Sequence, residues 1–370
     1  MRKIETGIMI SVLKDELGFF WFCPLIRSVL NKMNLLKGTQ WSDDTSAEGA
    51  FARRLSVLAA LYKILQEKFD RGTAFRILSR IIVPAGCCEQ WRNLKELNAE
   101  KMRGYTRLKV FYDFMGEGGS GQFVKRTLSS NTEKLVQYEV RECLFARFFG
   151  EMGMRELASL FCKVDRSFFP TAIADYSLSR GDSWENSAAY GKDHCIFRFE
   201  RIDDPVDEHY LTETHLLDYT DPTIQMLYEQ LDLSYKSDEE KIGHFCEYVK
   251  SRIKTGNVGM KPRPASIVQK KGRGTDFDRT ILFMALLRTA GIPCRLRSLQ
   301  HNGGTRPLVE VYLHKKWVPV QQWTDDETGS KVVDSVWADD ALKEHMSELE
   351  RDLNIFNSPD DLYQKASVDN

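Results

Sequence analysis

Cys143, Cys162, Asp165, His194 and Cys195 bring three thiols, a carboxylate and an imidazole into one stretch of the chain. These are the donor types of an activated thiolate nucleophile or of a soft-metal site. Nucleophilic chemistry also needs a proton carrier and a means of holding an anionic substrate. Asp165 and His194 can serve as the first, and Arg180, whose guanidinium can bind a carboxylate through two parallel N–H groups, as the second. Cysteine is equally a small buried hydrophobe, and Cys143 and Cys162 lie on helical patterns beside Leu144, Phe145 and Phe161. Packing alone therefore accounts for each thiol taken singly. Their coincidence in one stretch is what points to a site.

The elements around these residues constrain how they can meet. Strand alternation puts Cys195, Phe197 and Phe199 on one inward face and turns Arg198 outward; His194 then faces away from the thiols unless a bulge re-aims it. Upstream, Phe51, Leu55, Leu58, Tyr62, Leu65 and Phe69 form the stripe of an amphipathic helix. A second helical pattern runs from Leu94 to Met115 and stops at the Gly-rich stretch 116–121. That stretch reads as a loop and not as a phosphate cradle, because no apolar strand enters it and no GK[ST] follows. Val136, Tyr138 and Val140 alternate like a strand, Met154 to Phe161 returns to helical spacing, and 172–178 and 195–199 read as strands.

The 370 residues are 42% hydrophobic and 28% charged, enough apolar content for two cores. Lys and Arg total 52 against 53 Asp and Glu, so no global basic field is available for nucleic acid or anionic lipid. The apolar run 17–26 is too short to span a bilayer and lacks a signal-peptide cleavage pattern, so a cytosolic protein without a membrane partner is expected. Eight dispersed cysteines, including the vicinal pair Cys87-Cys88, fit reduced thiols. The vicinal pair is expected at a helix end or in a loop. The absence of a CxxC pair weakens the case for structural zinc; no metal and no cofactor are expected.

The acidic stretch Asp203-Asp204-Pro205-Val206-Asp207-Glu208 reads as an interdomain linker. The expected organisation is an N-terminal extension (1–49), a helix-rich α+β domain (50–205), a second α+β domain (206–339) and an acidic tail (340–370). In the second domain, Ser237 and Glu240 make a capping box for a helix burying Ile242, Phe245, Val249 and Ile253. After a basic loop, a helix from Thr275 carries Ile281, Leu282, Ala285, Leu286 and Thr289 inward and ends at Gly291. Strands at 295–299, 308–313 and 317–321 follow as an antiparallel meander.

Two resemblances rest on these residues. The run Thr280 to Arg295, with Leu308-Val309-Glu310-Val311-Tyr312-Leu313 and Lys316-Trp317-Val318-Pro319-Val320, resembles a transglutaminase-like, papain-related domain. The resemblance implies helices packed on an antiparallel sheet. It also implies a catalytic Cys at the helix N-terminus, a His before the second strand and an Asp at the end of the third. Those positions fall on Asp276, Arg306 and Gln321, so thiol acyl transfer is not expected. The implied role is a groove holding substrate, a peptide or a carrier protein, with Asp276 and Arg306 able to form an ion pair. The alternative for Asp276 is a helix-favouring acid beside the Thr275 N-cap.

The motifs Glu142-Cys143, Glu156-Leu157-Ala158, Phe161-Cys162-Lys163-Val164-Asp165, Ser179-Arg180 and Gly191 to Phe199 are similar to the L-2-amino-thiazoline-4-carboxylic acid hydrolase family. This implies hydrolysis of a non-peptide C–N bond in a small cysteine-derived or amidine-like molecule. Water or a thiolate would attack a C=N carbon. Alternatively, neither domain is catalytic and the chain is a binding or scaffold protein.

Overall fold

The computed structural model describes residues 3–117, 120–203, 205–206, 208–256, 262–301 and 304–320. It divides into two compact units, 1–203 and 204–370, and both combine helices with antiparallel sheets. The chain is a two-domain α+β protein.

The first unit opens with α1 (Lys3–Leu17) and α2 (Phe22–Leu36), which pack on α4 (Arg71–Glu96) and α3 (Ala47–Gln66) respectively. Ser46 caps α3 by accepting from the Gly49 N–H, and Asp70 caps α4 by accepting from Thr73. Cys87 and Cys88 are buried well inside α4, not at a helix end or in a loop. Their neighbours are apolar on several sides, so no single stripe announces this helix. The expected helix from Leu94 to Met115 is broken. Asn98 and Gly104 adopt left-handed conformations (φ 51° and 50°), and α5 (Gly104–Glu117) starts anew at Gly104.

The sheet has the order β1-β2-β4-β3, antiparallel throughout, from β1 (Val124–Asn131), β2 (Leu135–Cys143), β3 (Tyr176–Ser179) and β4 (Cys195–Arg201). Between β2 and β3 come α6 (Leu144–Glu151) and α7 (Ala158–Ala172). Ala172 therefore ends a helix instead of opening a strand. A core including Leu108, Phe111, Val136, Phe168, Phe169 and Phe199 joins α5 and α7 to the sheet. Helix α7 also packs on α4, where Gly86 meets Val164; a Cβ at Gly86 would lie 2.5 Å from Val164 Cγ2. Only a hydrogen fits there.

In the second unit, α8 (Pro222–Leu231), α9 (Asp238–Arg252) and α10 (Ala265–Lys271) surround α11 (Asp276–Thr289). Part of the expected basic loop is thus helix α10. Strands β5 (Lys254–Thr255) and β6 (Arg273–Gly274) pair in parallel, and β7 (Cys294–His301), β8 (Gly304–Leu313) and β9 (Lys316–Val320) form the meander. Every residue of α11 from Asp278 to Thr289 is buried, so the single inward face read from the sequence gives way to a helix enclosed all round. Its start is held by a capping box of Thr275 and Asp278.

Candidate active site

Within the first unit, a cavity of about 530 Å³ lies between α3, α4, α5, α7 and the sheet. Cys143, Cys162, Asp165, Arg180 and Cys195 all line it. Each arrives from a different local cause. Cys143 is the last residue of β2 and the N-cap of α6, a strand end where a helical position was expected. Cys162 and Asp165 are three apart on α7 and so share a face. Arg180 follows β3 directly, and the left-handed Gly181 (φ 80°) turns the chain just beyond it. Cys195 begins β4, opposite Val140 of β2, and Phe197 points to the same cavity. His194 is exposed and is not part of the lining, as the strand alternation requires.

Charge in the cavity is set by Asp165 and Arg180, whose Oδ2 and Nη2 lie 3.0 Å apart. The Arg180 side chain is 2% exposed and stacks on the Phe197 ring, its guanidinium carbon 3.6 Å from the ring centroid. Burial pushes the Asp165 carboxyl up to about 6, against the opposing pull of Arg180. The side chain is 27% exposed, but it opens onto this cavity, where surrounding protein denies it bulk hydration. A carboxyl in that range is mostly ionised at neutral pH and still takes up a proton readily.

The thiols behave differently. Burial pushes Cys162 up to about 12, and it also raises Cys143. At Cys143 the N–H groups of Phe145 and Ala146, at the start of α6, pull the other way but do not outweigh burial. Cys143, Cys162 and Cys195 are near enough for a charge on one to be felt by another, yet Cys143 and Cys162 are held as neutral thiols. Among the described residues, no group of three or more His, Cys, Asp or Glu side chains has the arrangement of a metal site.

Among the lining residues that had not been singled out in the sequence are Arg126 and Tyr112. Arg126 on β1 lies over the rings of Tyr112 and Tyr138, at 4.2 and 5.2 Å, and donates to the Tyr112 carbonyl at 2.7 Å. Burial holds the Tyr112 phenol neutral, well above its ordinary range. An Arg on a largely polar edge strand gives no sequence signal until the sheet register is known.

In the second unit, Asp276 opens α11 and is exposed, with its Oδ1 3.4 Å from Arg279 Nη1. Arg306 pairs its backbone with Leu299, and its side chain lies outside the described residues, as does Gln321. Cys294 is fully buried and its thiol is pushed up by burial.

The family comparison agrees with this division. The family model for L-2-amino-thiazoline-4-carboxylic acid hydrolase matches residues 50–199, and that for the transglutaminase-like superfamily matches 225–322. The first match spans the elements that bear the cavity thiols and the Asp165–Arg180 pair; the second spans α11 and the meander. Searches of the curated proteins and of the solved structures gave no match. Among the described residues, no helix is long and apolar enough to cross a membrane.

Proposed function

We propose that the first unit hydrolyses a non-peptide C–N bond of a cysteine-derived or amidine-like molecule, with Asp165 as the proton carrier. The supporting observation is a carboxyl near 6, paired at 3.0 Å with a buried arginine and open to a cavity. Ionised Asp165 takes a proton from water as the water oxygen bonds to the C=N carbon and the π pair moves onto nitrogen. The carboxylic acid returns that proton to the nitrogen. In a second step Asp165 takes the hydroxyl proton, the oxygen's electron pair forms C=O as the C–N single bond breaks, the C–N pair leaves with nitrogen, and Asp165 delivers the proton to the departing amine. Arg180 positions the carboxylate and favours its ionised form.

A second reading makes Cys143 the nucleophile, because the N–H groups at the start of α6 favour its thiolate. The two separate on one experiment: hydrolysis of 2-amino-thiazoline-4-carboxylate by the full chain and its variants. Asp165→Asn is expected to lower kcat/KM by at least about 100-fold, with Cys143→Ser, Cys162→Ser and Cys195→Ser within about 10-fold of wild type. In the wild type, kcat/KM should rise with pH through about 6. An inactive Cys143→Ser beside an active Asp165→Asn would select the thiol.

The second unit fits a substrate- or partner-binding module for a peptide or acyl-carrier segment. This reading rests on the aspartate that stands at the head of α11 where the resemblance expects a thiol. Amidase assays of the full chain should show no iodoacetamide-sensitive turnover from this unit.

A further inference from the structure

The cavity is much larger than the ring its family likeness suggests. A pocket of about 150 Å³ accommodates benzene, and a five-membered thiazoline is of similar girth. The 530 Å³ available here leaves room for roughly two further rings, or an equivalent length of acyl chain. The added space is lined in a particular way. Phe51 of α3 stacks on Phe123 (centroids 4.3 Å apart) and meets Phe145 edge-on at 5.6 Å; Phe145 in turn packs on Phe161 of α7 at 4.2 Å. All four rings line the cavity, and Phe51, Phe123 and Phe161 are only half-buried. Such a wall gains by covering apolar surface and offers little to a small polar ring surrounded by water.

The charged groups are placed for the other end of such a ligand. Arg180 is neutralised by Asp165. Arg126 has no carboxylate partner among the described residues; its contacts are two aromatic faces and one carbonyl. Arg54 and Glu89 also line the cavity, on α3 and α4, but both are exposed. Arg126 is the guanidinium held in place by the aromatic stack, and it is suited to a single carboxylate.

Resting on the reading of this cavity as the reacting site, we propose that it takes an amphiphilic carboxylate. The ligand is a monoanion whose apolar body, of medium-chain acyl or two-ring aromatic size, lies along the Phe51–Phe123–Phe145–Phe161 wall. Its carboxylate meets Arg126, and its reacting C–N group faces Asp165.

The test is calorimetric titration of the full chain with dodecanoate, 2-naphthylacetate and butyrate. Dodecanoate or 2-naphthylacetate should bind one per chain and at least about 100-fold more tightly than butyrate. The preference between them separates a chain-shaped from a ring-shaped body. Arg126→Gln should weaken the tighter ligand by about 10-fold or more, and Phe51→Ala should reduce its margin over butyrate.

The chain has another apolar surface, with Phe19, Phe20 and Leu30 exposed by 81%, 67% and 71%. A Phe19→Ser/Phe20→Ser variant should therefore bind as the wild type does. Equal affinity for all three carboxylates, no binding, or loss of binding in that variant with retention in Arg126→Gln would each overturn the proposal. The chemistry is judged separately. Dodecanoate bound by a chain in which Asp165→Asn still hydrolyses the thiazoline would refute the proton-carrier role alone. An Asp165-dependent hydrolase indifferent to dodecanoate would refute the amphiphile alone.

Discussion

Asp165 and Asp278 each sit beside a largely buried arginine at nearly the same distance, 3.0 Å to Arg180 in the first unit and 2.8 Å to Arg263 in the second. Their surroundings divide them. Asp278 Oδ1 accepts from the Arg263 N–H, and its Oδ2 accepts from the Arg263 guanidinium and from both the N–H and hydroxyl of Thr275. Its side chain is 1% exposed. Among the described residues, Asp165 has one hydrogen bond, from Arg180, and the rest of its carboxyl looks into a cavity. A carboxylate whose acceptor sites are filled fixes the start of a helix; one with sites left open beside a void can move a proton.

The contrast can be broken from either side. The largest effect is expected at Asp278→Ala, which strands the Arg263 guanidinium and removes half of the α11 capping box. Denaturant unfolding should report a loss of about 3–5 kcal/mol from the transition of the second unit. A change under about 1 kcal/mol would mean that Asp278 is not structural.

Asp165 should act on stability with the opposite sign. Burial holds its native carboxyl near 6 against 3.8 for an ordinary aspartate, so between those pH values the folded chain holds a proton that the unfolded chain has released. Stability should therefore fall as pH rises from about 4 to 6, by an amount on the order of 3 kcal/mol. Asp165→Asn should remove this component of the slope in urea unfolding followed across that range. A stability that rises through the window by a similar amount, unchanged in the variant, would exclude a raised native carboxyl.

A smaller effect sharpens the comparison at the cavity floor. Gly86→Ala would press a Cβ onto Val164, one residue before Asp165 on α7, and the forced separation of α4 and α7 should cost about 1–3 kcal/mol in thermal unfolding. A neutral substitution would show that the two helices are not in contact at this point.

These two regions were not equally legible in the sequence. The helix from Thr275, its cap and the meander could be read because local signals agree there: a Thr followed by an acid three residues on, a terminal Gly291, and alternating strands. Its burial on all faces could not, since that depends on α8, α9 and α10 closing around it. In the first unit, the residue types around Asp165 pointed to chemistry, and strand alternation gave the outward turn of His194. The long helix α4 was missed because Cys87 and Cys88 lie in a run that is apolar without a stripe. Arg126 was missed because β1 is a polar edge strand whose partner is fixed only by tertiary pairing. Thiol reactivity was also out of reach, because burial, not residue type, decides the ionisation of Cys162.

The most direct measurement of the distinction between the two aspartates is a carboxyl 13C NMR titration of the full chain, with Asp165 assigned by its loss in Asp165→Asn. The expected midpoint is about 6, moving lower when Phe51→Ala opens the cavity to bulk water. A midpoint at or below 3.8, the value of an ordinary aspartate, would show that the cavity does not hold a poised proton carrier and would contradict the assignment of the chemistry to Asp165.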